Sequence, residues 1–370
     1  MKKITVIIPN FNGLKFLDPC ISALARQTCR DFCVLVVDNG STDGSVEKIR
    51  ELEKTGLSAE NIAGRGTETS AEDPAETTGK DVIPVRGLYL PENTGFSGAV
   101  NAGLRETDTE FAVLLNNDTE AYPDYLEKMM LVMREDTAGT VAAVSPLMLS
   151  LKDPTLIDSA GDGYCLVGWA FQRGVGRHAD LSKFSERTGV FSACAGAALY
   201  RKSALDKISR EGAEGTWWFD PEHFAYLEDL DVSYRFLLAG FDIVYEPAAK
   251  VLHAGSATSG SRYNGFKVRL AARNNVYLNV KNQPILQLFI NLPFLLAGVI
   301  VKQIFFILRG FGKSYCMGFF EGIRKIPRVW PHRVRVTFAA LPDFFRAELL
   351  MIADTFSYLG DLIGRKIFHR

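Results

Sequence analysis

Short apolar runs that stop abruptly at polar residues punctuate the first 250 positions of the chain. Ile4–Pro9, Phe32–Val37, Arg86–Leu90, Phe111–Leu115, Val141–Pro146 and Phe241–Tyr245 are each five or six residues long. Runs of this length match strands buried on both faces. Between them, Leu17–Ala25, Ser45–Leu57, Gly95–Leu104 and Asp229–Ala239 carry helical apolar spacing, with Asp43 or Ser45 as the cap of the second. The alternation predicts βαβ units around a largely parallel sheet. Val190–Tyr200 adds a small-residue apolar stretch in which Gly196 allows a backbone or ligand to approach closely.

Two segments break the rhythm. Residues 57–81 are rich in Gly, Thr, Ala and Glu and read as a surface insertion. Asp158–Gly176 mixes glycines with aromatics and reads as an irregular cover over the sheet. The pattern then changes character. Ile285–Val301 is 17 residues without a charge, and after Lys302 the apolar run resumes over Gln303–Leu308. That length is the lower edge for a membrane span. Phe344–Leu362 is apolar but interrupted by Arg346, Glu348, Asp354 and Asp361, an amphipathic rather than spanning pattern. The expected organisation is a domain over 1–275, with 57–81 inserted, and a helical, membrane-associating region over 276–370. A buried helical subdomain or a homo-oligomer interface is the other use of such a tail.

Charge sharpens that division. The 370 residues carry a net charge of −1, with 47% hydrophobic and 23% charged positions, an ordinary globular balance. It gives no global attraction to nucleic acid. From Arg262 onward, however, 17 Lys and Arg stand against 5 Asp and Glu, so an acidic front precedes a basic, apolar tail. Lys281, Lys302, Arg309, Lys313, Arg324, Lys325 and Arg328 flank the apolar segment and favour an anionic lipid surface. Six cysteines without CxxC spacing indicate free thiols in a reducing compartment. The five-residue apolar run after Lys2-Lys3 is too short for a signal-peptide core, so a cytoplasmic location, peripheral to or anchored in the cytoplasmic membrane, is expected.

Candidate chemistry gathers where strands end. Val113–Glu120 reads VLLNNDTE, which puts Asn116, Asn117 and Asp118 at the carboxyl edge of the sheet, where α/β folds hold ligands. Such oxygens suit a hard divalent cation, although a capped turn reads the same way. Asp38 and Asp43 flank a Gly-Ser-Thr loop after the second strand; an acid there can accept from a ribose or base. No GxGxxG or GxxxxGK[ST] is present, which disfavours nicotinamide and P-loop chemistry. Glu228-Asp229-Leu230-Asp231 clusters carboxylates suited to a general base, or to an ordinary helix start. His253, just beyond the last strand, is a candidate metal or phosphate contact.

Taken in order, VIIPNFNG (Val6–Gly13), VVDNGSTDGS (Val36–Ser45), ENTGFSGAVNAGL (Glu92–Leu104), LLNNDTE, GAALYRKSAL (Gly196–Leu205), YLEDLDVSYR (Tyr226–Arg235) and Leu252-His253 resemble the family 2 glycosyltransferases. The resemblance covers about Ile4 to Asn275. It implies the GT-A-type nucleotide-diphospho-sugar transferase fold, a Rossmann-like, mostly parallel α/β sheet. Glu92–Leu104, the SAGDG segment and Arg273–Asn275 look most like bacterial rhamnosyltransferases and related O-antigen enzymes. The resemblance further implies a role for each matched residue. Pro9, Asn12, Asn93, Gly98, Asn101 and Arg273 would line the nucleotide-sugar pocket, and Asp38 would hold the base or ribose. Asn116 and Asn117 would stand with Asp118 at the family's DXD position, with Asp118 and His253 on Mg²⁺ or Mn²⁺. Asp229, with Glu228 beside it, would deprotonate the acceptor hydroxyl. The implied reaction is inverting transfer, with rhamnose as the candidate sugar, to a lipid-linked or polysaccharide acceptor at the inner membrane surface. A non-catalytic carbohydrate- or lipid-binding scaffold on the same fold is the alternative. A processive synthase is disfavoured, because neither several long spanning helices nor a QxxRW signature is present.

Overall fold

The computed structural model describes residues 2–58, 82–213, 215–255, 263–335 and 337–368. Most of the expected 57–81 insertion therefore lies outside the described residues. Leu57 pairs with Ile83 across it in an antiparallel bridge.

Fourteen strands are present among the described residues: β1 (Ile4–Asn10), β2 (Phe32–Asn39), β3 (Val85–Leu90), β4 (Phe111–Leu115), β5 (Thr119–Ala121), β6 (Val141–Ser150), β7 (Ile157–Ser159), β8 (Asp162–Tyr164), β9 (Ala170–Gln172), β10 (Thr188–Gly189), β11 (Ala197–Arg201), β12 (Arg210–Gly212), β13 (Gly215–Trp217) and β14 (Asp242–His253). The main sheet runs β10-β14-β6-β11-β4-β1-β2-β3, with β5 on β14 and β7 on β6. β4, β1, β2 and β3 are mutually parallel, as are β6 and β14. β11 lies antiparallel between β4 and β6. Val6, Ile7 and Ile8 of β1 and all of β4 are sealed from solvent, as apolar runs without alternation demand.

Helices α1 (Leu14–Ala25), α2 (Ser45–Thr55), α3 (Gly95–Arg105) and α4 (Tyr125–Glu135) cover the sheet, followed by the short α5 (Lys202–Ile208) and by α6 (Glu228–Leu238). Two apolar clusters form, one on each side of the sheet. Ile7, Leu35, Val37, Ala112 and Leu114 face one, and Ile8, Val34, Val36, Val113 and Leu115 face the other. Alternate residues of each strand point to opposite faces, so a continuous apolar run feeds both.

The tail is helical: α7 (Gly265–Asn282), α8 (Ile285–Leu308), α9 (Gly312–Arg324), α10 (Ile326–Val329) and α11 (Leu341–Phe368). The expected boundary at 275 falls inside α7, which carries the chain from the sheet-bearing part into the tail without a break. One helix among the described residues, α8, is long and apolar enough to cross a membrane.

Candidate functional site

The loops after β1 and β2 are laced together by side chains. β1 and β2 run parallel with Asn10 opposite Asp38, and the Asn10 amide donates to Asp38 Oδ1 at 3.1 Å. Asp38 Oδ2 accepts from the Ser41 backbone N–H at 3.0 Å. Asn117 donates to Asn10 Oδ1 at 2.7 Å, linking the end of β4 to the same cluster. A Cβ on Gly13 would lie 2.0 Å from Asn117 Nδ2, so this turn requires glycine. Asn12, in a left-handed conformation (φ 49°), accepts from Thr42 N–H at 2.8 Å. The Asp43 carboxylate accepts from Leu14 N–H and Ser45 N–H, one at each helix start. Asn93 accepts from Gly95 N–H and is met by Asn39. Gly98 lies on α3 against Thr94. Asn101 is turned inward, with its amide spanning the backbone of Trp218 and Phe219.

β14 is longer than the apolar run Phe241–Tyr245 announces. It continues through an irregularity after Glu246, and His253 is its last residue rather than a residue beyond it. β5 pairs antiparallel with this end, His253 opposite Thr119, which brings the imidazole beside Asp118. His253 Nε2 lies 3.4 Å from Asp118 Oδ1, and Nδ1 lies 2.8 Å from Asp158 Oδ2. Burial opposes the imidazolium, but Asp118 and Asp158 outweigh it and raise the His253 pKa to about 10. An imidazole oriented at Nδ1 by one carboxylate, with a second carboxylate at Nε2, is a donor pair for a divalent cation. Asp118 and His253 would offer a divalent cation one carboxylate oxygen and one imidazole nitrogen, and the ion would take the place of the proton between them.

Asp158 and Asp162 both come from the Gly-rich segment read as a cover. The second reaches Asp229, at the start of α6. Asp162, Cys194 and Asp229 present ligand atoms all within 4.8 Å of one another. Their span would accept an ion, yet a thiol is a soft ligand that suits neither Mg²⁺ nor Mn²⁺. Burial raises the Asp229 carboxyl, while N–H groups of Leu230 (2.8 Å) and Ala195 (3.3 Å) partly offset it. Asp162 is raised well above the carboxylate range by burial and by the Asp229 charge. The N–H groups favour a charge on Asp229, and a charge on either carboxyl favours a proton on the other. Glu228 is buried beside them with Oε2 unpartnered, raised by burial and by Asp229.

The four carboxylates of Glu228–Asp231 and nearby Asp220 divide between two tasks. Asp231 points away from Asp229 and joins Lys281, Arg235 and Asp220 in a buried network. The turn entering α6 is strained: Phe224, Tyr226 and Leu227 have φ of 63°, 72° and 66°. Asn274 donates to the carbonyls of His223, Ala225 and Tyr226, and Arg273 to those of Glu222 and His223, so both hold this turn in place. Pro9 lies in β1, one residue before Asn10. The Asn116 side chain lies against Gly196, where a Cβ would come within 3.1 Å.

Residues 5–63 and 66–209, more than half of the chain, match the model of the family described as glycosyl transferase family 2. The chain belongs to that family. It is similar to an uncharacterized glycosyltransferase of Nostoc sp., 26% identical over 209 residues, which is 56% of this chain and 53% of the relative. It is also similar to the undecaprenyl-phosphate 4-deoxy-4-formamido-L-arabinose transferase of Serratia proteamaculans, 26% identical over 148 residues, 39% of this chain and 38% of the relative. In both, the match spans less than two thirds of the relative's length. Among solved structures, S. aureus TarS 1–349 in complex with UDP superposes with a TM-score of 0.51 at 15% identity, covering 100% of this chain and 93% of that one. GalNAc-T7 superposes with a TM-score of 0.52 at 13% identity, covering 75% and 47%. At these identities the likeness establishes the fold, which is of the GT-A type.

Asp158, Asp162, Cys194 and Asn10 escaped the sequence reading as site residues. A signal existed for two of them: Ile157-Asp158-Ser159-Ala160-Gly161-Asp162 sets two acids four residues apart in a Gly-rich stretch. Nothing in the sequence ties that stretch to His253 or Asp229.

Proposed function

We propose that this family 2 glycosyltransferase moves a sugar from a nucleotide-diphosphate donor to a lipid-linked or polysaccharide acceptor with inversion, using Asp229 as base and Mg²⁺ or Mn²⁺ at Asp118 and His253. The observation that carries the reading is the double reach of one segment: Asp158 holds His253 against Asp118, and Asp162 adjoins Asp229. A cation-binding pair and a proton acceptor are thereby tied to one scaffold. The ion, when bound, would neutralise the charge of the departing diphosphate. Asp38, Asn12 and Pro9 at the adjoining strand ends are assigned to the nucleotide, with Asn93, Gly98, Asn116 and Asn117 shaping the pocket; Asn101 and Arg273 instead hold the Trp218–Phe219 backbone and the turn before α6.

In the reaction, the acceptor oxygen bonds to the anomeric carbon as the carbon–oxygen bond to the diphosphate breaks. The nucleoside diphosphate leaves with the electron pair, and the acceptor proton passes to Asp229. A carboxyl held high by burial is a stronger base than an exposed one. GalNAc-T7, solved with UDP, GalNAc and Mn²⁺, supports a nucleotide-diphosphate donor and a divalent ion on this fold. The undecaprenyl-phosphate substrate in the name of the Serratia relative supports a lipid-linked acceptor. Rhamnose is the proposed sugar, on the resemblance of Glu92–Leu104 and Arg273–Asn275. The basic, apolar tail supports action at the cytoplasmic membrane surface.

The test is nucleoside diphosphate release from a panel of nucleotide sugars with a membrane extract as acceptor. EDTA should abolish release. Asp229→Asn should lower kcat/KM by about 10²–10⁴, the usual contribution of a positioned base. Full activity in Asp229→Asn refutes the base assignment, and full activity in EDTA refutes the metal.

A further inference from the structure

A cavity of about 150 Å³ lies between the turn that carries Asp229 and the tail helices. Leu227, which directly precedes Glu228-Asp229, forms one wall; Val268 and Asn275 of α7, Lys302 and Phe306 of α8, and Tyr315 of α9 form others. The walls are mostly hydrocarbon and aromatic, so their polar groups stand out. The Lys302 ammonium has no carboxylate partner among the described residues; its recorded contact is the Trp169 ring, 5.8 Å from the centroid. Asn275 accepts from the Tyr164 hydroxyl through Oδ1, and its N–H₂ group has no acceptor among the described residues.

A lysine offers three donors and no acceptor, and the amide N–H₂ offers two more. A half-buried ammonium gains from a counter-charge, and the cavity offers an anion the donors of both Lys302 and Asn275. Lys302 sits on α8 between Val301 and Ile304, both about half exposed on the helix's open apolar side. A chain attached to an anion in the cavity would pass directly onto an apolar surface.

Resting on the glycosyltransferase reading, we propose that Lys302 and Asn275 bind the phosphate that joins lipid to sugar in a lipid-linked acceptor, which directs that sugar's hydroxyl toward the Asp229 turn. The cation supplies charge, the amide supplies direction, and Phe306 with Val268 takes the first carbons of the chain. A cavity of about 150 Å³ with mostly apolar walls suits a phosphate and the start of a hydrocarbon chain better than an extended polysaccharide.

The full chain in nonionic detergent would be titrated with farnesyl phosphate, farnesol and inorganic phosphate, with tryptophan fluorescence as the readout, since Trp169 adjoins Lys302. Farnesyl phosphate should bind saturably. Lys302→Met should weaken it about tenfold or more, the least expected for removing one member of a desolvated charge pair. Lys302→Arg should retain binding. Farnesol should bind at least about tenfold more weakly than farnesyl phosphate to the natural chain and equally to Lys302→Met. Equal affinity of the natural chain and Lys302→Met for farnesyl phosphate overturns the proposal. Inorganic phosphate binding as tightly as farnesyl phosphate also overturns it, because the site would then recognise a free anion. Thermal stabilisation by UDP or dTDP with Mn²⁺ is measured on both proteins in parallel. Its absence from both would count against the glycosyltransferase reading alone, and the farnesyl phosphate comparison would still decide the cavity.

Discussion

At the scale of single residues, the pair Asp162 and Asp229 poses a sharp question, because two adjoining buried carboxyls do not share one role. The N–H groups of Ala195 and Leu230 favour the charge on Asp229, and that charge in turn favours a proton on Asp162. Asparagine is a near-isosteric mimic of a protonated aspartic acid, and it mimics Asp162 better than Asp229. Asp162→Asn is therefore expected to keep kcat/KM within about one order of magnitude, whereas Asp229→Asn loses the base. Both pKa values are raised, so the proton-accepting form of Asp229 appears only above the ordinary carboxylate range. The acid limb of kcat/KM against pH should fall above that range in the natural chain and persist in Asp162→Asn. An acid limb at ordinary carboxylate pH, or a larger loss in Asp162→Asn than in Asp229→Asn, reverses the assignment. The sequence made Asp229, Asp118, Asp38 and His253 visible because each stands in a matched motif at a strand end or helix start. Asp162 stayed hidden because its function depends on a contact across 67 positions that no local pattern encodes.

At the scale of elements, α6 carries Asp229, and a buried network fixes its place. Lys281 of α7 bridges Asp220 and Asp231, the second at 2.9 Å. Arg235 reaches Asp231 at 3.1 Å, and Asn282 donates to it at 2.8 Å. Burial alone would raise Asp220 and Asp231, but Lys281 and the neighbouring cations bring both below the usual range. Lys281→Met leaves two buried carboxylates short of their shared cation and is expected to cost about 3–5 kcal/mol, read as a lowered denaturation midpoint. The sign with pH follows from depressed folded-state values. The network's contribution is present above the unfolded aspartate pKa of about 3.9 and is lost as pH falls below it. Lys281→Met should therefore show less acid sensitivity than the natural chain. A midpoint unchanged at neutral pH would show that the network is energetically neutral. Periodicity located α6 within a residue, since its apolar spacing is local. It also grouped Asp231 with the site, because four successive residues on a helix look alike until the partner helix shows which way each one points.

At the scale of the whole molecule, we propose that the tail brings the protein to a membrane surface. α8 passes the length and apolarity test for a span, yet one stripe of it packs on its own chain along its length. Asn291, Leu295 and Gly298 are buried; Asn291 and Gln287 both donate to Glu348 of α11, and a Cβ on Gly298 would collide with the Val167 carbonyl. A spanning helix would place that polar contact and its covering loop within hydrocarbon, where a carboxylate is costly. Lying flat would resolve the conflict: Leu286 (72% exposed), Phe289 (74%) and Ile300 (60%) would face lipid, and the polar stripe would face protein. Phe320 of α9 and Phe345, Leu349 and Phe356 of α11 add exposed apolar surface, and Arg309, Arg324 and Arg328 would supply cations for anionic headgroups. The sequence announced both apolar segments separately; the Asn291–Glu348 contact that orients them spans 57 residues and is a product of folding. The triple change Leu286→Glu, Phe289→Glu and Ile300→Glu should release the protein from anionic vesicles in a flotation assay while leaving its circular dichroism unchanged. High salt should weaken binding of the natural chain only in part, since the apolar contribution is not screened. Alkaline carbonate should extract it from membranes, as it does not extract a spanning helix. Retention through carbonate would instead make α8 a span. A stable dimer in detergent that the triple change dissociates would turn the same face into an interface between copies.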